Sequence, residues 1–315
     1  MRLLAAFLRL VRWPNLFFIV LTQFLFFFCI VKPTLHRVQL SPALTPSLFV
    51  LVMLASVLIA AAGYIINDYF DVDIDQINKP RKNVVDKIVS RRWAIFWHFV
   101  LSGLGVLLSL YVSWKTGLWF LVIANLGCVF LLFGYSVSLK KKLLAGNVTI
   151  SLLTAWVVMV LCLTEFRFSL VGTPDPALLK SQNQIMKLGF LYAGFAFVIS
   201  LIREAIKDME DMEGDERYGC RTMPIVWGLP AAKVYVAVWL VVLILSLLVI
   251  QVYIIRFHWW WPVLYSLACV IAPLVYCFLN LSRAANVTQF HKLSRTSKLV
   301  MLTGIVSMGF LFFYL

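Results

Sequence analysis

Residues 67–75 read NDYFDVDID and residues 207–215 read KDMEDMEGD, and each stretch ends a long apolar run. Both carry aspartates at one spacing, as Asp68, Asp71 and Asp75 and again as Asp208, Asp211 and Asp215. An i, i+3, i+7 spacing puts three carboxylates on one face of a helix, about 5–6 Å between neighbours. Such crowding is stable only if a cation offsets the repulsion. Hard oxygen ligands of this kind suit Mg²⁺, whose shell is completed by waters and substrate phosphates.

The composition predicts an all-α, polytopic membrane protein. Hydrophobic residues make up 62% of the 315-residue chain and charged residues 13%, and its apolar runs are long enough to cross a bilayer. Nine spans are expected, at residues 13–31, 48–66, 93–113, 117–139, 148–164, 186–202, 233–253, 259–280 and 298–315.

The placement of lysine and arginine predicts the orientation of these spans. Basic residues concentrate in short cytoplasmic segments of membrane proteins, and 21 of the 28 here fall on one side. The other side has seven: Lys32, Arg37, Lys115, Arg167, Lys180, Lys187 and Arg256. The amino terminus is therefore expected in the cytoplasm, and nine spans put the carboxyl terminus on the opposite side.

Several other classes of function are excluded by the same composition. A net charge of +14 could attract nucleic acid, but topology already explains the basic residues. The start, MRLLAAFLRLVRWPN, lacks a small-residue cleavage site and fits a short amphipathic helix on the cytoplasmic leaflet. The six cysteines form no CxxC pair, which favours small packing residues over disulfides or zinc. No obligate protein partner is evident; membrane lipids are the expected surroundings.

The chain is expected to form a single membrane domain, residues 1–315, with an internal repeat. No polar linker divides it, and the two acidic motifs are offset by 140 residues. They end the second and the sixth predicted span. Two halves of similar topology would bring both helix ends to one cytoplasmic cavity. Two matched copies favour a binding site over a solvated acidic face, because ionisable groups at the edge of a span are usually functional.

Basic residues beside the acidic motifs point to an anionic ligand. Arg81 and Lys82 follow the first motif, and Arg203 and Lys207 lie one turn apart just before the second. Carboxylates holding Mg²⁺ with cations nearby would clamp a pyrophosphate. A third segment, GYSVSLKKKLLAGN, adds Tyr135, whose hydroxyl could donate to phosphate. The same segment adds Lys140 and Asn147. Membrane anchoring is the other explanation for a tyrosine and a lysine cluster at this depth.

Together these segments resemble the UbiA superfamily of intramembrane prenyltransferases. The resemblance is carried by the paired acidic motifs and by YSVSLK at residues 135–140. It extends from RWPN at residues 12–15 to TMPI at residues 222–225. It implies nine helices in a bundle around a central cavity, a cytoplasmic cap of loops that carry the motifs, and two Mg²⁺ ions that bind a prenyl diphosphate.

The resemblance also implies roles for individual residues. Asn67, Asp71 and Asp75 match the first metal motif, and Asp211 with Asp215 match the second; Asp68 and Asp208 support them as further metal ligands. The four metal-motif aspartates, Asp71, Asp75, Asp211 and Asp215, would carry the catalysis. The diphosphate would be held by Arg81, Tyr135, Lys140 and Lys207, and Asn15 matches a polar position on the first helix.

Departure of pyrophosphate leaves an electron-poor carbon that must be shielded from water. Aromatic side chains of the spans could exclude water and offer ring faces to a cation. The candidates are Phe24, Phe26, Phe27, Phe28, Tyr64, Tyr192 and Phe195. For any one of them, ordinary packing is the alternative explanation.

The surroundings of the second motif, REAIKDMEDMEGDERYGCRTMPI, resemble the lipid-forming branch of the superfamily, the geranylgeranylglycerol-phosphate geranylgeranyltransferases. The acceptor implied is a glycerol phosphate lipid, whose phosphate would account for cations such as Arg203, Arg217 and Arg221. One alternative is an aromatic acceptor, a 4-hydroxybenzoate or quinone precursor. Another, of a different class, is a cation-coupled transporter, since transporters also use internal repeats. The length of the donor chain stays open.

Overall fold

The fold is built from helices throughout the described chain. The computed structural model describes residues 2–78, 85, 86, 89–166 and 176–315, with side chains from Ala6 onward. The helices are α1 (Arg2–Leu10), α2 (Trp13–His36), α3 (Pro46–Phe70), α4 (Val72–Asn78), α5 (Arg91–Thr116), α6 (Phe120–Val137), α7 (Ala145–Thr164), α8 (Pro176–Glu210), α9 (Met212–Arg217), α10 (Met223–Val226), α11 (Gly228–Ile255), α12 (Trp260–Leu281) and α13 (Val287–Tyr314).

Nine helices of the described chain are long and apolar enough to cross a membrane: α2, α3, α5, α6, α7, α8, α11, α12 and α13. Their outer faces expose large hydrophobic side chains, among them Phe99, Ile123 and Val249, which are 65%, 70% and 69% exposed. Apolar surface of this extent is stable in lipid and not in water. The chain is therefore an integral, multi-pass membrane protein, and the predicted all-α fold with nine spans is confirmed.

Two helices extend well beyond the spans predicted for them. Helix α8 begins at Pro176, where the sequence predicts residue 186, and α13 begins at Val287, where it predicts residue 298. Hydropathy marks only the apolar part of a helix, whereas capping sets its end. Asn286 accepts a hydrogen bond from the Gln289 backbone N–H, and the Gln289 side chain accepts from the Asn286 N–H. This capping box starts α13 eleven residues before Lys298.

Six spanning helices surround a central cavity. Helices α2, α3, α6, α7, α8 and α13 all contribute to its lining. Helix α5 packs outside α3 and α6, while α11 packs on α8 and α12 packs on α11 and α13. The predicted bundle around a central cavity is confirmed.

Hydrogen bonds between buried polar side chains tie these helices together. Gln23 of α2 donates to the Ser56 hydroxyl of α3 at 3.0 Å. Asn125 of α6 donates to Ser109 of α5 at 2.7 Å. In an apolar bundle, such bonds and close packing replace the hydrophobic drive that holds soluble helices together.

The short helices collect at one end of the bundle. We call α4, α9, α10 and the turn Leu139–Lys141 the cap. Helix α4 packs on α9, and the Arg221 N–H donates to the carbonyl of Lys141 at 2.8 Å. The second half of each acidic motif therefore lies in or beside these short elements, whereas residues 67–70 end α3 and residues 207–210 end α8. The side of the membrane that the cap faces stays a prediction.

Candidate active site

The two acidic motifs break their helices in the same way. Helix α3 ends at Phe70, just before Asp71 with φ −93° and ψ 0°, and α8 ends at Glu210, just before Asp211 with φ −94° and ψ 6°. The Asp71 N–H donates to the Asn67 carbonyl at 3.0 Å, and the Asp211 N–H donates to the Lys207 carbonyl at 2.9 Å. A short helix restarts at once after each break. Asp75 and Asp215 therefore lie on the short helices that follow the breaks, and not on the spanning helices.

Burial sorts the acids of each motif in the same manner. Asp71 and Asp75 are half-buried whereas Asp73 is exposed, and Asp211 and Asp215 are half-buried whereas Glu213 is exposed. Glu210, outside the shared spacing, is half-buried as well and pairs with His291. Burial therefore distinguishes the predicted ligands from Asp73 and Glu213 but not from Glu210.

Asn78 joins the two motifs. Its amide Nδ2 donates to the Asp211 carbonyl at 2.9 Å, and its Oδ1 accepts from the Gly214 N–H at 2.9 Å. Gly214 has no side chain to obstruct this contact, and a Cβ there would overlap the Asn78 amide. Two hydrogen bonds and one close approach therefore hold α4 against α9.

A lysine ammonium occupies the oxygen-rich face of the first motif. The Lys140 Nζ lies 2.5 Å from Asp71 Oδ1 and 3.4 Å from Asn67 Oδ1. Asn67 in turn donates from Nδ2 to Asp71 Oδ2 at 2.8 Å. Burial lowers the pKa of Lys140, and the Asp71 carboxylate opposes that shift. These oxygens already hold one positive charge.

The donor chemistry fits a hard divalent cation. The inward side chains offer carboxylate and amide oxygens, the ligands that Mg²⁺ takes in proteins. Among the described residues, however, no group of three or more His, Cys, Asp or Glu side chains converges on one point. Asp71 is instead paired with the Lys140 ammonium and the Asn67 amide.

The supporting aspartates bind neighbouring helices. Asp68 Oδ1 accepts from the Arg12 guanidinium at 2.5 Å, and Asp208 Oδ2 accepts from Asn147 Nδ2 at 2.8 Å. Burial opposes the charge of Arg12, but Asp68 and nearby groups outweigh it, so the pKa of Arg12 is raised. Arg12 and Asn147 lie at the starts of α2 and α7, the first and fifth spanning helices. Asp68 and Asp208 thus each bind a residue at the start of another spanning helix.

The central cavity lies under the cap and encloses about 220 Å³. Its polar lining includes Arg12, Asn15, Tyr64, Asn67, Tyr135, Arg203, Glu204, Lys207 and Lys298. Its remaining walls are largely apolar, with Ile59, Leu132, Leu153 and Val157. A site of this kind binds a molecule with a charged head and a hydrocarbon body.

The sequence model of the UbiA prenyltransferase family matches residues 38–299, which cover both motifs and most of the cavity lining. The chain belongs to the UbiA prenyltransferase family. The predicted superfamily and the predicted enzyme class, a prenyltransferase, are confirmed, and this decides against the transporter alternative.

Curated relatives of this UbiA chain are digeranylgeranylglyceryl phosphate synthases, as the resemblance to the lipid-forming branch predicts. The protein of Methanosphaera stadtmanae is 27% identical over 248 residues, 78% of this chain and 81% of its own. The protein of Pyrococcus horikoshii is 36% identical over 168 residues, 53% of this chain and 52% of its own. That of Methanothermobacter thermautotrophicus is 36% identical over 191 residues, 59% of each chain.

Solved structures share the UbiA fold along nearly the whole chain. A digeranylgeranylglyceryl phosphate synthase structure covers 98% of this chain and 99% of its own, with a TM-score of 0.62 and 23% identity. A UbiA homolog from Archaeoglobus fulgidus bound to DMAPP and Mg²⁺ covers 96% and 99%, with a TM-score of 0.56 and 17% identity. At these identities, the likeness is one of fold.

Most substrate-binding residues predicted for the UbiA site line the cavity. Asn15, Tyr135, Arg203 and Lys207 all do so, while Lys140 binds Asn67 at the cap end. Arg81 and Lys82 lie outside the described residues. The structure thus brings residues of α2, α6 and α8 to one cavity.

Sequence reasoning assigned no binding role to three charged residues of the cavity. In the sequence, Arg12 and Lys298 contribute only to the predicted orientation of the spans in the membrane, and Glu204 carries no predicted role. Glu204 Oε1 accepts from Arg203 Nη1 at 2.6 Å. Lys298 carried a usable signal, because a lysine inside a spanning helix is costly and usually functional. The predicted start of the ninth span at residue 298 concealed that signal.

Some of the aromatic candidates line a cavity, and the others pack between helices or lie on the exposed surface. Tyr64 lines the main cavity, and Tyr192 and Phe195 line a second, apolar cavity of about 70 Å³. The two cavities share walls, among them Phe18, Val157 and Met301. Phe26 and Phe27 are buried in a helix-packing core, Phe28 packs against that core, and Phe24 is exposed. Of the seven aromatic candidates, Tyr64, Tyr192 and Phe195 line a cavity.

Proposed function

We propose that this UbiA chain transfers a geranylgeranyl group from its diphosphate to geranylgeranylglycerol phosphate and releases pyrophosphate. The observation that carries the proposal is the pair of matched helix breaks at Asp71 and Asp211 above a cavity that is charged at one end and apolar elsewhere. The identity of curated relatives supports the choice of acceptor.

The proposed metal ligands are Asn67, Asp71 and Asp75 in the first motif and Asp211 and Asp215 in the second, with Asp68 and Asp208 as supporting residues. Their oxygen chemistry supports two Mg²⁺ ions, as does the Mg²⁺ bound by the homolog from Archaeoglobus fulgidus. Bound Mg²⁺ would neutralise the charge that develops on the leaving diphosphate.

Hydrogen-bond donors of the chain share this task. The cations Lys140, Lys207 and Arg81 and the neutral hydroxyl of Tyr135 would donate hydrogen bonds to the diphosphate oxygens. Charge-assisted hydrogen bonds to phosphate are about twice as strong as neutral ones. As the allylic C–O bond breaks, its electron pair moves to the diphosphate, and donors fixed in advance stabilise that charge without reorganising.

The apolar walls of the cavity protect the allylic carbon while it forms the bond to the acceptor. The electron-poor allylic carbon forms a bond with the acceptor hydroxyl oxygen, and the hydroxyl proton is released. Water would compete for the same carbon. Tyr64 and the apolar lining of the cavity would exclude it.

The proposal places the cap in the cytoplasm, because 21 of the 28 basic residues belong to the cap side. Lys142→Cys and Lys115→Cys, in a chain otherwise free of cysteine, report the two sides in whole cells. An impermeant maleimide should label the variant at residue 115 only. If only the variant at residue 142 were labelled, the cap would face the outside of the cell and the proposed orientation would be wrong.

The reaction is tested with purified protein in liposomes. Radiolabelled donors of ten to twenty carbons are offered with geranylgeranylglycerol phosphate or with 4-hydroxybenzoate, with and without EDTA, and products are resolved by mass. We expect the lipid ether, and no product with EDTA. Product from the aromatic acceptor alone would overturn the lipid assignment and keep the reaction class. Activity that survives EDTA would overturn the metal assignment.

A further inference from the structure

Lys298 places a positive charge inside the bundle. It lies eleven residues into α13, roughly 16 Å from the helix start at 1.5 Å per residue. Its side chain lines the main cavity. The Nζ donates to Asn15 Oδ1 at 2.8 Å and lies 5.4 Å from the centre of the Phe18 ring.

The charge of Lys298 is not matched by an acid in the described part of the chain. Arg12 is paired with Asp68, and Arg203 with Glu204. In the described part of the chain, Lys298 contacts the neutral amide of Asn15 and the Phe18 ring. Arg203 and Arg12, both positive, line the same cavity.

Neighbours of like sign in a partly buried site repel each other. Four cations line this cavity, Arg12, Arg203, Lys207 and Lys298, whereas the ion pairs of Arg12 and Arg203 supply two carboxylates, Asp68 and Glu204. An anionic ligand would relieve the repulsion, and a lysine inside a spanning helix favours a functional role.

Lys298 has different neighbours from Lys140, the lysine that is expected to hold the diphosphate at the cap. Lys140 lies beside Asp71 and Asn67 on the turn Leu139–Lys141, whereas Lys298 lies on helix α13 and lines the cavity with Arg12 and Arg203. Lys207 also lines the cavity, on the helix that carries Arg203. The cations of the site therefore extend from the cap to Lys298.

We infer that Lys298, with Arg12 and Arg203 beside it, binds the phosphate monoester of the acceptor. This inference rests on the proposed function, since it assigns the second anion of that reaction. Asn15 holds the Lys298 ammonium toward the cavity, and the apolar walls receive the hydrocarbon chain of the acceptor. Lys298 is then the residue by which the enzyme distinguishes a phosphorylated acceptor from the free alcohol.

Binding and turnover are measured separately. Wild type, Lys298→Met, Lys298→Arg and Arg295→Gln are compared in micelles for equilibrium binding of geranylgeranylglycerol phosphate and of its dephosphorylated alcohol. Arg295 lies on the exposed side of the same helix and is the matched control. We expect Lys298→Met to weaken binding of the phosphate about tenfold or more, as for loss of a charge-assisted hydrogen bond. Binding of the alcohol should change less than about twofold, and Lys298→Arg should retain the preference.

Steady-state kinetics then show which substrate the residue serves. Lys298→Met should raise the acceptor KM and leave the donor KM unchanged, while Arg295→Gln resembles wild type. An equal rise of both KM values, or an unchanged binding ratio of phosphate to alcohol, would overturn the inference. If wild type binds the phosphorylated acceptor but does not prenylate it, the proposed function fails and the binding comparison still decides the role of Lys298.

The last comparison uses a bilayer lipid whose headgroup is also a phosphate monoester. Phosphatidic acid carries a phosphate monoester but no prenyl chain. We expect wild type to bind it at least about tenfold more weakly than the acceptor. Equal affinities, both lost in Lys298→Met, would assign the cluster to general lipid headgroups and overturn its role in acceptor selection.

Discussion

Asp71 and Asp211 lie 140 residues apart in sequence and share one backbone conformation, within about 6° in both angles. In each case, the helix stops one residue before the aspartate and a short helix follows it. Equal local geometry predicts equal roles. Asp71→Asn and Asp211→Asn should each lower kcat/KM at least about a hundredfold, as when one charge-stabilising group is removed from an active site.

The controls for this pair lie in the same motifs. Asp73→Asn and Glu213→Gln remove one charge from exposed positions and should change kcat/KM less than about threefold. Prenyl transfer at saturating Mg²⁺ is the measurement. Loss of activity in the control variants to the same degree would show that total charge, and not the repeated spacing, matters.

Lys140 should govern donor binding and the alkaline limit of activity. Lys140→Met removes the ammonium beside Asp71 and should raise the donor KM about tenfold or more. Lys142→Met, at an exposed neighbour, is its control. A donor KM that rises equally in both would indicate a general field effect of the lysine cluster.

The sign of the pH dependence follows from burial. The pKa of Lys140 is lowered by burial, so its ammonium loses the proton at lower pH than a free lysine would. Activity that needs this charge should decline as pH rises toward that pKa. Lys140→Arg stays protonated and should carry activity to higher pH. If the activity of wild type and of Lys140→Arg declined over the same alkaline pH range, the charge of Lys140 would not be required for activity.

Asn78 should couple the two motifs. Asn78→Ala deletes two hydrogen bonds to the second motif, worth about 1 kcal/mol each. We expect the Mg²⁺ concentration for half-maximal activity to rise about tenfold. Asn78→Asp keeps the acceptor for the Gly214 N–H but sets a carboxylate oxygen against the Asp211 carbonyl, so it should not restore the wild-type Mg²⁺ dependence. If Mg²⁺ dependence is unchanged in Asn78→Ala while the melting temperature falls, the contact serves stability alone.

Gly304 should limit the length of the donor. A Cβ at Gly304 would overlap the Phe195 ring, and both residues line the second cavity. Gly304→Ala should push the ring into that space and lower activity with a twenty-carbon donor more than with a ten-carbon donor. Gly309→Ala, where a Cβ meets nothing within 4 Å, is the control on the same helix. An unchanged ratio of the two donors would place the hydrocarbon chain elsewhere.

Cys220 should be chemically inert in the folded cap. Burial raises the pKa of its thiol to about 11, so the thiolate fraction at pH 8 falls about a hundredfold below that of a thiol with a pKa of 9. In a variant that keeps only this cysteine, maleimide labelling should accelerate with pH and show no plateau near pH 9. Such a plateau would mean that the cap opens readily.

Sequence reasoning located the motifs because spacing and hydropathy are local properties. The break at Asp71 and the pairing of Lys140 with it agree with the predicted ligand and diphosphate roles, which await the tests above. The direction in which a charged side chain faces depends on helix rotation and on neighbours far away in sequence. Arg12 reaches Asp68, Asn147 reaches Asp208 and Asn78 reaches Gly214, and each contact spans 56 to 136 residues. Such pairs leave no signal in a single sequence.

The ammonium of Lys140 between Asn67 and Asp71 has a consequence for how the cap packs. Repulsion within the first motif is reduced by a charge that the chain supplies itself. Packing of the turn Leu139–Lys141 against α3 therefore does not require a metal ion to offset the charge of Asp71. Under the proposed function, binding of the diphosphate would draw that lysine away from the carboxylate.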